Sequence, residues 1–197
     1  MKKATAPDRI LQLKVVLRNI QPRIWRRLLV ESNRTFAHLH AVLQWSFGWR
    51  ESHLHDFEVA GVRVAEPEPD FDEGAPPKNP RTTRLSDLVT GGVTRFLYRY
   101  DFGDDWEHDI EVEQVLPPDP NVRYPVCLEG ARSAPPEDVG GVSGYESFLV
   151  VWRDPSDPEY AETRTWAGDR FDPERFDLDT VNSILATFRR QVRTLKK

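Results

Sequence analysis

Eleven residues, Tyr98 to His108 (YRYDFGDDWEH), hold alternating aromatics, a glycine turn, four carboxylates and a histidine. Upstream, Ser52-His53-Leu54-His55-Asp56-Phe57-Glu58 carries two more imidazoles. Histidines two apart on a strand point to one face. If that strand neighbours the arm bearing His108, three imidazoles and a carboxylate converge. His53, His55 and His108 would then suit a divalent transition metal such as Zn²⁺, Fe²⁺ or Mn²⁺, because neutral imidazole is a borderline ligand and carboxylate completes the shell. Glu107 or Glu137 would serve as general base of a hydrolase-type site. The competing reading has the same histidines bonding carboxylates and backbone at a sheet edge. His-x-His is common on strands and lacks the specificity of paired Cys-x-x-Cys.

The acids of the segment divide by strand alternation. From Asp105 onward, Glu107 and Asp109 share a face, opposite Trp106 and His108. Glu107 and His108 therefore line one pocket only across a bulge. Acids in a tight turn more often bond backbone N–H groups or pair with arginines than hold a hard cation, and Arg95, Arg99 and Arg23/Arg26/Arg27 are available as partners.

Other chemistries find little support. The Asp-Phe-Gly triplet stands without a glycine-rich nucleotide loop, and Ser143 in Gly-Gly-Val-Ser-Gly is not a Gly-x-Ser-x-Gly elbow. Cys127 is alone, which excludes an intrachain disulfide and fits a small buried group better than a nucleophile. A lone thiol also fits a reducing compartment, so a cytoplasmic location is expected. No apolar run nears the roughly 18 residues of a membrane span, and the MKKATAPDRI start lacks a signal-peptide hydrophobic region. No membrane association is expected.

Net charge is −5, but residues 1–34 hold nine Lys/Arg against two acids and residues 186–197 hold five basics and no acid. The middle is strongly acidic. Arg23, Arg26 and Arg27 around Trp25 combine cations with an aromatic, as nucleic-acid binding needs. The favoured alternative is that basic ends neutralise the acidic middle, since an acidic protein is repelled by phosphate at long range.

Positioning these residues requires a sheet. Leu11, Leu13, Val15 and Leu17 alternate with mostly polar neighbours, and Pro22 separates them from a second strand, Ile24 to Val30, predicted to be covered on both sides. Thr35 caps a helix whose Phe36, Leu39, Leu43 and Phe47 share a stripe and which Gly48 ends. A third strand, His53 to Val59, turns at Gly61. Residues 66–82 read as a mobile, proline-rich acidic loop and residues 1–9 as a disordered start. Thr94 to Phe102 and Trp106 to Leu116 form a hairpin around Gly103, and Pro117 to Gly144 reads as irregular. The rest, 144–195, is helical: Tyr145, Phe148, Leu149 and Trp152 make one stripe, Asp157-Pro158 starts a short helix, and Asp177 caps the last. Its stripe of Leu178, Val181, Leu185, Phe188, Val192 and Leu195 is expected to dock on the domain.

Five segments in order, LKVVLRNIQPRIWRRLLV, FGWRESHLHDFEV, YRYDFGDDWEHDIEVEQVLP, YPVCLEGARSAPPEDVGGVSGYESFL and FDPERFDLDTVN, resemble the plasmid pRi ORF-three-like family. That family includes insertion-element passenger proteins labelled TnpR by analogy with resolvases. The resemblance runs from about Ile10 to Asn182. It implies a mobile-element or plasmid association but no established activity, and nothing in the chain resembles the catalytic domain of a serine or tyrosine recombinase. Family members carry further cysteines near the Pro-Pro-Glu-Asp motif, at places matching Ala134 and Val139 here. A thiolate site of that kind is therefore not expected in this chain.

The expectation is one α+β domain over 1–197, a β-grasp-like sheet with a packed helix and a C-terminal helical segment. The leading function is a binding or protein-interaction module with a protein or small-molecule partner. Its groove would involve Asp101, Asp104, Trp106, Pro135 and Asp138. A metal-dependent enzyme is the alternative, and nucleic-acid binding through Arg23, Arg26 and Arg27 is the weaker one.

Overall fold

The computed structural model describes residues 9–67, 76–168 and 170–194, with side chains described as far as 189. Seven strands form one sheet: β1 (Ile10–Leu17), β2 (Trp25–Glu31), β3 (His55–Val59), β4 (Val62–Ala65), β5 (Arg95–Tyr100), β6 (Trp106–Leu116) and β7 (Val126–Ala131). Their order is β4-β3-β5-β6-β1-β2-β7, and every paired neighbour is antiparallel. The helices are α1 (Phe36–Phe47), α2 (Leu85–Leu88), α3 (Gly141–Arg153), α4 (Tyr160–Ala167) and α5 (Leu178–Thr194). The protein is thus α+β.

Alternation in β1 buries Leu11, Leu13, Val15 and Leu17 and leaves Gln12, Lys14 and Val16 half-buried on the opposite face. The buried face packs under α1. Thr35 Oγ1 accepts from the His38 N–H at 3.3 Å, and Gly48 ends the helix at φ 84°. Phe36, Leu39, Val42, Leu43 and Phe47 fill the core with Phe57, Tyr98 and Ile110. The expectation that β2 is covered on both sides meets a different arrangement. Its second face carries buried Leu29 beside half-buried Trp25 and Arg27, the last ion-paired to Glu113 at 2.7 Å and to Glu129, so cover on that side is partial. This charged ladder is the sheet's wetter side.

The stretch 117–144, read as irregular, contains β7. It pairs with β2, Leu28 opposite Cys127 and Arg26 opposite Gly130. A β-carbon at Gly130 would lie 2.6 Å from the Phe176 ring and 2.8 Å from the Trp25 carbonyl oxygen, so only glycine fits there. Its sequence, VCLEGA, has no clean two-residue alternation, which is why pattern alone misses it.

Helix α5 docks against α1 and β7. Leu185 is fully buried, and the Asn182 amide bonds both the N–H and the C=O of Cys127 at 2.9 Å. Asp177 caps the helix through the Thr180 N–H at 2.9 Å. Leu195 and the Val192 side chain lie outside what is described, as do residues 1–8 and 68–75 of the expected disordered start and mobile loop. Of that loop's described part, Lys78 bridges Val64 and the Pro80 carbonyl accepts from Ala37 N–H at 2.9 Å. No described helix is long and apolar enough to cross a membrane.

Candidate functional site

The turn between β5 and β6 is built by its own carboxylates. Asp101 and Asp105 sit at φ 57° and 53°, a left-handed conformation that aspartate tolerates better than most residues. Asp101 Oδ1 accepts from the N–H groups of Gly103 (3.0 Å) and Asp104 (3.3 Å), which leaves Oδ2 facing His53 Nε2 at 3.6 Å. The loop before α3 rests on this turn. Asp104 Oδ2 accepts from Gly140 N–H at 3.2 Å, and a β-carbon on Gly141 would lie 2.5 Å from the Asp104 carbonyl oxygen. Asp138, at φ 60°, thereby comes within 3.1 Å of His53 Nε2 through Oδ1.

A second set of contacts fastens the same loop from below. The Trp49 indole N–H donates to the Pro135 carbonyl at 2.9 Å. Its ring stacks on Phe47, Tyr100 and buried Trp106 at centroid distances of 5.5, 5.2 and 6.1 Å. Tyr100 donates its hydroxyl to Glu137 Oε1 at 2.6 Å and accepts from Ser52 N–H at 3.1 Å. Burial and the Glu137 bond push the Tyr100 phenol up, so it stays a donor. The Arg50 N–H also donates to Glu137 Oε1, at 3.1 Å.

The three imidazoles expected to converge do not do so. Strand β3 begins at His55, so His53 lies in the connection before it and strand alternation does not relate the two. Among the described residues, the one set of three or more His, Cys, Asp or Glu ligand atoms lying within 4.8 Å of one another is His53, Asp101 and Asp138. His55 instead stacks on His40 at 3.5 Å with the rings 3° from parallel. His40 Nδ1 shares a 2.8 Å hydrogen bond with the Tyr98 hydroxyl, which also accepts from Gln44 Nε2 at 3.0 Å. His108 is fully buried among Phe47, Trp49 and Tyr98, its Nδ1 3.1 Å from the Trp106 carbonyl oxygen. Desolvation holds His40 down to about 2, aided by repulsion from His55, and holds His55 at about 4 and His108 at about 3. All three are neutral structural rings at pH 7. His40 was legible in the sequence, four residues after Phe36 on the buried helix face.

The remaining predicted groups are spent on ion pairs and packing. Glu107 pairs with Arg18 at 3.0 Å, on the sheet face away from His108. Arg26 is buried between the Phe47 and Phe176 rings and donates to the carbonyls of Ser46, Trp25 and Ala131. Burial lowers its guanidinium to about 10. With Arg27 also paired, Arg23 is the exposed cation of the three. Cys127 is buried, and desolvation pushes its thiol up.

Beside the His53 cluster runs a cleft of about 820 Å³, walled by residues of 45–52, 133–138 and 166–184. Trp45 and Trp166 reach it partly exposed. Its acids are already committed: Glu137 to Tyr100, Asp138 to His53 and Asp177 to Arg175 and the α5 cap. Arg50 and Arg170 line it exposed and have no ion-pair partner among the described residues. Neither tryptophan was singled out by sequence, because an exposed ring has no periodicity to betray it.

A neighbouring protein in sequence is "Uncharacterized protein y4hQ" of Sinorhizobium fredii (strain NBRC 101917 / NGR234), 38% identical over 159 residues, 81% of either chain. Among solved structures, the crystal structure of a protein of unknown function, MM3350 from Methanosarcina mazei Go1, aligns with a TM-score of 0.80 and 39% identity, covering 89% of this chain and 97% of that one. The plasmid pRiA4b ORF-3-like family matches residues 9–180, which takes in the sheet, most of the cleft wall and the His53 cluster. With nearly the whole fold inside that match, the chain belongs to the plasmid pRiA4b ORF-3-like family.

Proposed function

We propose that this protein is an interaction module whose cleft takes a short acidic peptide segment bearing an aromatic or large aliphatic side chain. One observation carries the reading: the cleft's acids each face an intramolecular partner, while Arg50 and Arg170 have no ion-pair partner among the described residues and the Trp45 and Trp166 rings lie exposed beside them, Trp166 with one edge on Phe148. Its volume, about 820 Å³, lies in the range of ligand sites. Cations and aromatic rings are also the side chains that dominate binding hot spots. Selection from a displayed random-peptide library tests it. Sequences rich in Asp/Glu with Phe, Trp or Leu should be enriched. Their affinity should fall about tenfold in Arg170→Ala and weaken with salt. Enrichment of basic or purely apolar peptides, or of none, would end this reading.

A metal-dependent, hydrolase-type enzyme is the second reading, favoured by His53 facing two aspartates beside Glu137. Nucleic-acid binding has less support, with Arg26 buried and Arg27 paired. We further read the chain as a single cytoplasmic domain associated with mobile elements, on the strength of its one continuous sheet and its family. The β1–β2 hairpin with α1 lying on it is the part that supports a β-grasp-like description.

A further inference from the structure

We infer that His53, Asp101 and Asp138 form a binding site for one divalent transition-metal ion. The three residues come from three separate connections, yet their ligand atoms gather within 4.8 Å. His53 Nε2 is shut off from solvent and makes no aligned hydrogen bond, although Asp138 Oδ1 and Asp101 Oδ2 stand 3.1 and 3.6 Å away. A ring nitrogen and two anionic oxygens at these separations leave a gap that a cation fills. An ion about 2.1 Å from both atoms of each nitrogen–oxygen pair would subtend roughly 95° on the Asp138 pair and 118° on the Asp101 pair, the first near the octahedral value and the second somewhat wider than the tetrahedral one.

The donor set selects the class of ion. One imidazole with two carboxylates suits Zn²⁺, Mn²⁺ or Fe²⁺, whereas Ca²⁺ and Mg²⁺ take oxygen shells. The supporting contacts are those a metal site needs. Two backbone N–H groups hold Asp101 Oδ1 and so aim Oδ2, and Glu137, next to Asp138, is anchored by Tyr100 and Arg50. The Asp138 side chain is 72% exposed, which leaves the remaining coordination positions open to water or a ligand from the cleft. This site deepens the metal-enzyme reading. Because the test reads metal uptake directly, it is separate from any result on hydrolysis or peptide binding.

The experiment is calorimetric titration of the chelator-stripped full-length protein with Zn²⁺ and, separately, with Mn²⁺. One saturable equivalent is expected, and it should bind about 10- to 100-fold more weakly, or not at all, in His53→Ala, Asp101→Asn and Asp138→Asn. Asparagine tolerates the positive φ of Asp101 and Asp138, so the two conservative variants keep the turn and the loop. Bound Mn²⁺ should broaden amide resonances of residues 52–54, 101–104 and 137–139 before others. No saturable uptake of either ion would reduce the cluster to an ion pair and overturn the inference. Uptake unchanged in all three variants would overturn it as well, by placing the ion elsewhere.

Discussion

The imidazoles around Tyr98 and Tyr100 meet two kinds of surroundings, three rings in one and His53 in the other. His40 and His108 are buried and His55 is half-buried, all three packed against rings, and desolvation keeps them neutral. His53 sits at the rim, meets no ring closer than Tyr100 at 5.8 Å, and faces two carboxylates. The same side chain is a packing element in one place and a candidate ligand a few ångströms of backbone away. Residue type does not decide between these roles. The rings they pack on and the charge of the neighbours do.

The largest effect that tests this contrast is on pH. A base whose folded pKa lies below its unfolded value of about 6.5 binds its proton in the unfolded chain first. Its neutral form therefore stabilises the fold fully above pH 6.5, and that stability is lost as pH falls toward about 4 for His55, about 3 for His108 and about 2 for His40. Up to about 1.4 kcal/mol per imidazole should go with each pH unit. Denaturant unfolding at pH 7, 6 and 5 should show a loss on the order of several kcal/mol. A flat profile over that range would mean the three rings are not desolvated, and the contrast would collapse.

Next in size is His108→Ala. Removing a fully buried ring from between Phe47, Trp49 and Tyr98 should cost about 2–4 kcal/mol. It should also flatten part of the acid limb just described, which separates packing from titration. A cost under about 1 kcal/mol would show that the pocket collapses or refills with water.

His53→Gln should change stability least, by about 0.5–1 kcal/mol or less, because the ring is only half-buried and stacks on no other ring. Thermal unfolding of this variant beside His108→Ala sharpens the comparison directly. Should His53→Gln prove as costly as His108→Ala, the rim histidine would be structural, and the loop 135–141 would depend on it.

Much of the architecture was legible because its causes are local. The alternation of Leu11 to Leu17, the Thr35 cap, the Gly48 stop and the Asp177 cap are each written in a few neighbouring residues, and each occurs where it was read. Strand β7 was not legible. Its pairing rests on β2, on Asn182 from α5 and on a glycine that makes room for Phe176, all remote in the chain. The site follows the same division. Sequence named His53, His55 and His108 as the metal set and placed Asp101 and Asp138 in a groove beside it, and did not join His53 to those two aspartates.

Periodicity also determined, from the sequence alone, that His108 faces Trp106's side of its strand and Glu107 the other. That rule is purely local, since successive side chains alternate whatever the strand packs against. Which imidazole meets which carboxylate was a tertiary decision. It depended on two left-handed aspartates turning the hairpin, on Gly141 allowing the loop to touch Asp104, and on Trp49 pinning Pro135. Those contacts join residues 49, 101–105 and 135–141, and only the closing of the sheet and the packing of its connections brings such distant segments within reach of a single hydrogen bond.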